Sequence, residues 1–527
     1  MQAAASTATV RSTTGPTAGL SGKSATTTRV GTTAAIDSAQ PSHDTGVQPQ
    51  PSQARGPNQS FLPTSGVVRT LPNLRRPLYR VPVSDWWRLS ACELVDRYGS
   101  GELNSPDVVE TCLRRIDEVD SAIGAFTYVD AEGARAGAAG LGGEPMRLSG
   151  VPFAIKELFE VEGWPHTAGS LAWAGRVGER DSEAVRRLKA AGAIPVGLTR
   201  THEFAMGVTT QHERRGSTYN PWSLDRVPGG SSGGSGAAVA VGMVPFALGS
   251  DTSGSVRIPA VLCGVVGFRP THGVIPLDGV VPLAPSFDTV GVLAREVDDL
   301  VMVFEVLSAG AISAAPRRDL SGLTIGVPYR FDPPIGPDQA DAVRRAAEAA
   351  SDLGARVVEV SLPPFAQVDQ AIDFQRAEMI QVHTRTLSTW PDRAELLGES
   401  LRSRLGPLVE RGADADAGRR AMEAVRAAAG ALEADFVLSP VAASSPSRVD
   451  DPEGGGFRDA TLRCNHLQSV LGAPSVAFPV GLDREDLPVG VQMWGRPGSD
   501  SALLGAARPL RDALRGRLPE WPPDPVQ

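Results

Sequence analysis

Of the 51 basic residues in this 527-residue chain, only Lys23, Lys156 and Lys189 are lysines, and Lys156 ends the apolar run Val151–Ile155. Arginine stays protonated at any working pH, whereas burial disfavours the charged form of lysine and can release its proton. Lys156 is therefore a cation that could serve as a base. Two hydroxyl-rich segments lie downstream. In Pro228-Gly-Gly-Ser231-Ser232-Gly-Gly-Ser235-Gly236, followed by the small residues Ala237–Val241, glycine opens backbone conformations closed to other residues and lets serine hydroxyls approach other groups. Gly249-Ser-Asp251-Thr252-Ser253-Gly254-Ser255-Val-Arg257-Ile-Pro-Ala260 reads as a second tight turn. A turn that presents successive backbone N–H groups can hold a developing oxyanion. Ser255 lies on that turn, and a nucleophile beside its own oxyanion hole is what acyl transfer requires.

Other readings of the same residues carry less weight. Glycine-serine runs are often linkers, but apolar segments flank this one on both sides. Gly229–Gly233 also fits the G-x-S-x-G nucleophile elbow, which needs an acid and a histidine further on. His272, His383 and His466 are available, none within a signature of its own. His202 and Glu203 could be taken for a metal pair, yet neighbours on a strand point to opposite faces. Gly22-Lys23-Ser24 resembles part of a phosphate loop, but Thr17 stands where that motif needs glycine. Asp251 and Arg257 read as orienting or structural partners. No metal site and no cofactor is expected.

The elements that must position these groups follow from local pattern. Order is expected to begin near Trp86. Ser90-Ala-Cys-Glu93 predicts a capping box opening a helix that Gly99 ends. Ser105 and Pro106 predict the cap and first turn of a second helix, whose buried face would carry Val108, Val109, Cys112, Leu113 and Ile116. Strand-like runs at 152–155, 194–197, 323–327 and 357–360 alternate with helical stretches at 182–191 and 338–353, the rhythm of an α/β sheet. Residues 309–316 read as a surface excursion. Residues 1–65 are rich in Ser, Thr, Gln, Pro and Gly, a composition that predicts a disordered tail, with a transit peptide as the alternative because Asp37 is the first acidic residue. One large domain over 75–520 accounts for the rest.

The net charge of −9 argues against a nucleic-acid binder, since phosphate neutralisation needs a basic surface. No apolar stretch reaches the roughly 18 residues of a membrane span, and no secretory signal stands at the N-terminus; a soluble, cytoplasmic protein is expected. Cys92, Cys112, Cys263 and Cys464 lie far apart with no CxxC pair, so they read as reduced buried thiols.

Three segments, Phe153-Ala-Ile-Lys156-Glu157, Pro228–Ser235 and Asp251–Ala260, resemble in order and spacing those of the amidase signature family of serine hydrolases. The similarity continues through 191–197, Glu203-Phe-Ala205, Cys263–Pro270 and Leu487–Gln492. The resemblance implies an α/β fold, a single large domain with a central mixed β-sheet covered by helices on both faces. It implies Ser255 as nucleophile, Ser231 as a bridging serine after a cis peptide bond, Lys156 as base, and the backbone N–H groups of Thr252, Ser253, Gly254 and Ser255 as the oxyanion hole. It further implies a small-molecule amide as substrate, with homodimers common in the family. Ser253 stands where the family usually has glycine, so an oxyanion hole with a narrower or more polar floor is expected; Glu157 stands where the family usually has aspartate, which keeps the charge and lengthens the side chain. Ser286–Gly291 resembles hydrolases of indole acetamide and similar small amides. Two alternatives stand beside a free-standing amidase. One is the glutaminase (A) subunit of a tRNA-dependent amidotransferase, against which Ile258 argues because that type of subunit usually carries glutamine there. The other is a non-catalytic family member, against which the joint presence of Lys156, Ser231 and Ser255 argues.

Overall fold

The capping box at Ser90 forms as the sequence requires. In this computed structural model, which describes residues 83–142 and 146–525, the Ser90 hydroxyl accepts the Glu93 N–H at 3.1 Å and the Glu93 carboxylate accepts the Ser90 N–H at 2.9 Å, opening helix Ala91–Gly99. The second helix, Ser105–Ile123, starts one residue earlier than expected. Asn104 caps it by accepting the Asp107 N–H, while the Ser105 hydroxyl donates to the Gly150 carbonyl. The predicted 1–65 tail lies outside the described residues.

Eleven strands form one sheet: β1 (Phe126–Val129), β2 (Pro152–Lys156), β3 (Ile194–Thr199), β4 (Phe246–Asp251), β5 (Val266–Arg269), β6 (Thr289–Ala294), β7 (Thr324–Pro328), β8 (Arg356–Val360), β9 (Phe436–Pro440), β10 (Ser475–Leu482) and β11 (Pro488–Gly495). Their order across the sheet is β1-β3-β2-β4-β6-β5-β10-β11-β9-β7-β8. The sheet is mixed. β2 runs parallel to both β3 and β4, and β7 parallel to β8 and β9, while the strands between pair antiparallel.

Alternation along the central strands sends side chains into two separate cores. Phe153 and Ile155 of β2 join one core with Leu188 of helix Glu183–Ala190 and Val303 of helix Val297–Leu307. Ala154, from the opposite face, joins Val109 and Leu113 of helix Ser105–Ile123 and Ala237 of helix Gly233–Ala240. Phe153 stacks on Phe246 of β4 with ring centroids 5.4 Å apart. Every residue of β2 is buried, as expected of a strand flanked by parallel neighbours and covered on both sides. The result is a single α/β domain with helices on both faces. Predicted strands and helices sit within a residue or two of their observed bounds, and the 309–316 segment runs between helix Val297–Leu307 and β7 with mostly exposed residues.

Candidate active site

β2 and β4 lie side by side and in parallel, so their C-terminal ends reach the same edge of the sheet. That edge carries Lys156 from β2 and Ser250 and Asp251 from β4. Helix Gly233–Ala240 starts at the same place. Its small residues let it lie close against the chain: a Cβ on Gly234 would come within 2.6 Å of the Ala125 and Arg200 carbonyl oxygens. The serine-rich loop ahead of this helix therefore arrives over the end of β2.

Lys156 is fully buried, and its amine sits 2.8 Å from Ser231 Oγ, 2.9 Å from Ser232 Oγ and 2.9 Å from Ser250 Oγ. Burial pushes its pKa down to about 7 against the opposing attraction of Asp251, Asp288 and Glu157. The Ser232 hydroxyl donates to the Ser250 carbonyl, so toward Lys156 it can only accept. A neutral amine has two protons and one lone pair; with Ser232 and Ser250 as acceptors, the lone pair is left for the Ser231 proton.

Ser231 is held by a loop that composition alone does not mark. The Gly230–Ser231 peptide bond is cis. The Ser231 carbonyl accepts the His202 N–H at 3.0 Å and the Thr201 hydroxyl at 3.1 Å. The Thr210 hydroxyl donates to the Gly229 carbonyl at 2.8 Å and accepts the Gly233 N–H at 3.1 Å. Phe204, Ala205 and Thr210 on this loop adopt φ of 47°, 60° and 55°. Such backbone costs non-glycine residues on the order of 1–3 kcal/mol each and persists only where surrounding contacts impose it.

The third serine sits on the turn after β4. The Ser232 N–H donates to the Ser255 carbonyl at 3.2 Å, which brings the two hydroxyl-rich segments together. Among the described residues the Ser255 hydroxyl itself makes no hydrogen bond. Asp251 organises the turn from within: its carboxylate accepts the N–H groups of Gly254 at 2.9 Å and Val256 at 3.1 Å. It also pairs with Arg257 at 2.9 Å and Arg269 at 3.0 Å, all three side chains being fully buried. Burial alone would raise the Asp251 pKa, but the two guanidinium groups outweigh it and hold the carboxyl below the usual range. The expected structural role of Asp251 and Arg257 is what the geometry displays. The Gly254 N–H, however, is engaged by Asp251, so Thr252, Ser253 and Ser255 are the residues of this turn whose N–H groups find no acceptor among the described residues. Gly254 is needed for its backbone, at φ 109°, where a Cβ would meet the Asn465 side chain at 2.7 Å.

The side chains beyond the turn are also fixed. The Thr252 hydroxyl donates to Asp288 at 2.6 Å, and the same carboxylate accepts the N–H groups of Leu283 and Ala284. Ser253 donates to Gln375 at 3.0 Å. Glu157 points away from the serines, accepting the Thr201 N–H and pairing with Arg215 at 3.3 Å.

The nucleophile-elbow alternative fails on geometry. The His272 ring donates to the Pro285 carbonyl, His383 bonds Thr389, and His466 Nδ1 has no partner; none of these rings is hydrogen-bonded to Ser231. His202 and Glu203 lie at a short helical turn rather than on a strand, the former bonded to Thr210 and Ser400 and the latter to Ser170 and Gly398. Among the described residues no group of three His, Cys, Asp or Glu side chains could hold a metal ion. All four cysteines are free, and no helix among the described residues is long and apolar enough to cross a membrane.

A family model described as Amidase matches residues 107–504. The chain is 34% identical over 504 residues to the A subunit of glutamyl-tRNA(Gln) amidotransferase from Anaeromyxobacter sp. (strain K), covering 84% of this chain and 99% of that protein. The crystal structure of an amidase superimposes with a TM-score of 0.72 at 31% identity, covering 82% of this chain and 100% of that one. A bacterial aryl acylamidase of the amidase signature family gives a TM-score of 0.70 at 25% identity, covering 81% of this chain and 96% of that one. With most of its length matched by the family model and a full-length relative at this identity, the chain belongs to the amidase signature family.

Proposed function

We propose that this protein is an amidase that hydrolyses a small carboxylic amide to the acid and ammonia or an amine, through an acyl-enzyme on Ser255. The observation that carries the reading is the fully buried Lys156 amine 2.8 Å from Ser231, on a loop whose next residue is hydrogen-bonded to the Ser255 backbone. Ser231 can pass its proton to Lys156 while taking that of Ser255, because a hydroxyl both donates and accepts. The Ser231–Ser255 link closes in the substrate complex, where catalytic hydrogen bonds tighten. Ser255 Oγ then bonds the carbonyl carbon, and the resulting oxyanion is held by the N–H groups of Thr252, Ser253 and Ser255. Losing one such donor costs on the order of a hundred- to a thousandfold in rate. As the C–N bond breaks, the relay returns the proton to the leaving nitrogen. Water enters, gives its proton to the same relay and cleaves the ester, freeing the acid and Ser255.

The 34% identity to the A subunit of an amidotransferase favours a second reading, glutamine hydrolysis in a complex that would bring partner subunits and a tRNA substrate. Against it stands Ile258, fully buried among Val208, Val227 and Val261, where the resemblance to that type of subunit leads one to expect glutamine. Ammonia release from small aliphatic and aryl amides and from glutamine, by the isolated chain, separates the two. Turnover of simple amides, lost in Ser255→Ala and Lys156→Ala, supports the amidase; release from glutamine alone supports the glutaminase; release unaffected by Ser255→Ala overturns both.

A further inference from the structure

Gln375 stands on helix Phe365–Gln381, 122 residues beyond the turn it touches. Its side chain is buried, accepting the Ser253 hydroxyl at 3.0 Å and facing the Thr252 carbonyl through Nε2 at 3.5 Å. The orientation of the amide is dictated by its partners. A carbonyl can only accept, so nitrogen faces Thr252 and oxygen faces Ser253. The Thr252 carbonyl and the Ser253 N–H belong to one planar trans peptide unit and point in opposite directions. Holding that carbonyl and the adjoining Ser253 side chain therefore fixes where the Ser253 N–H points. From the other side, Asp288 fixes the Thr252 hydroxyl at 2.6 Å.

We propose that Gln375 is a positioning residue for the oxyanion hole, aiming the Ser253 N–H by clamping the Thr252–Ser253 peptide; this rests on Ser255 being the nucleophile. Gln375 does not touch the reacting atoms. It acts through a peptide that would, and a donor already aimed needs no reorganisation when the oxyanion forms. The Ser253 hydroxyl supplies one of its two handles. Gln375→Met keeps the side-chain volume and loses both bonds. It should lower kcat by roughly tenfold with KM little changed, the signature of an interaction that matters in the transition state. Gln375→Glu keeps an acceptor for Ser253 but loses the donor to Thr252 and sets an anion near a developing anion. Its deficit should exceed that of Gln375→Met and shrink, relative to wild type, as pH falls and the carboxyl takes a proton. Ser253→Gly and Gln375→Met should be non-additive, since they remove one shared bond.

The test uses an alkyl fluorophosphonate on the full chain. Ser255 Oγ forms the P–O bond, fluoride leaves with the P–F electrons, the serine proton goes to the relay, and the phosphonyl oxygen occupies the oxyanion hole. Expected are labelling of wild type at Ser255, a rate at saturating probe about tenfold lower in Gln375→Met, and the pH-dependent deficit in Gln375→Glu, all in variants with a cooperative thermal transition. Should Gln375→Met fail to fold, Gln375→Glu and its pH dependence carry the same decision. Labelling of wild type at Ser255 with unchanged rates in the variants would overturn the role of Gln375 alone. Absence of labelling at Ser255 in wild type would overturn the nucleophile assignment and the inference with it.

Discussion

The amine of Lys156 lies 2.8 Å from the hydroxyl of Ser231 and is fully buried at the end of β2. Two further serines, Ser232 and Ser250, complete its surroundings at 2.9 Å, and no carboxylate among the described residues pairs directly with it. Desolvation therefore prevails over the more distant Asp251, Asp288 and Glu157, and the pKa falls to about 7. An arginine at this position would remain charged and could not take a proton.

The pH dependence of catalysis follows. In the proposed mechanism Lys156 takes a proton only when neutral, so kcat/KM should rise by about tenfold per pH unit below 7 and level off above it. A profile measured on one amide between pH 5 and 10 checks this. A rate independent of pH from 5 to 8 would remove Lys156 from the role of base.

Stability carries the same signature. The folded chain releases the Lys156 proton near pH 7, whereas the ordinary lysine value is 10.5. Between these values the unfolded chain binds more protons, so the wild-type chain gains stability from this group as pH rises from 7 toward 10.5. Below 7 both states are charged and the folded one bears the full burial cost. Thermal melts of wild type and Lys156→Met should show the difference in Tm moving in favour of wild type between pH 7 and 10, and flat below pH 6. A difference constant across pH 6–10 would contradict the shifted pKa.

Asp251 should matter first for folding. Removing it leaves Arg257 and Arg269 buried without their carboxylate. Uncompensated buried charge costs about 3–5 kcal/mol, so Asp251→Ala should lose a comparable amount in denaturant unfolding. A loss below about 1 kcal/mol would show that the turn does not depend on this cluster, because surface ion pairs are worth that little.

Thr210→Val tests the loop around Ser231. The change keeps the shape at Thr210 but removes the hydroxyl that links the Gly229 carbonyl to the Gly233 N–H. Losing a buried hydrogen-bonding group costs about 1–3 kcal/mol, and kcat should fall with it because Ser231 is two residues from each partner. Unchanged kcat at lowered Tm would assign Thr210 to folding alone.

How far the sequence discloses this site depends on the range of each contact. Lys156, Ser231 and Ser255 stand out because a scarce lysine and two glycine-serine segments are unusual within otherwise apolar stretches. The capping box at Ser90 is legible because both partners lie within one helical turn. The engagement of the Gly254 N–H by Asp251 is not legible, since residue types do not tell where a backbone N–H points. Gln375 is hidden for another reason: its helix meets the turn after β4 only through tertiary packing across 122 residues. The Thr201–Thr210 loop carries no local signal either, although Thr210 at φ 55° shows how strongly its surroundings constrain it. β10 is not marked as a strand by pattern, because buried runs such as Val476–Phe478 lack the alternation of a strand with one wet face; β11 enters the sequence reading only through resemblance.

An acyl-enzyme on Ser255 is tested most directly by the mass of the intact protein quenched during turnover of a small aryl amide, followed by peptide mapping. The expected result is an added acyl group on Ser255, released by water or hydroxylamine, and absent from Ser255→Ala and Lys156→Ala. Amide hydrolysis that proceeds at the wild-type rate in Ser255→Ala, or an acyl group mapped to another residue, would contradict it.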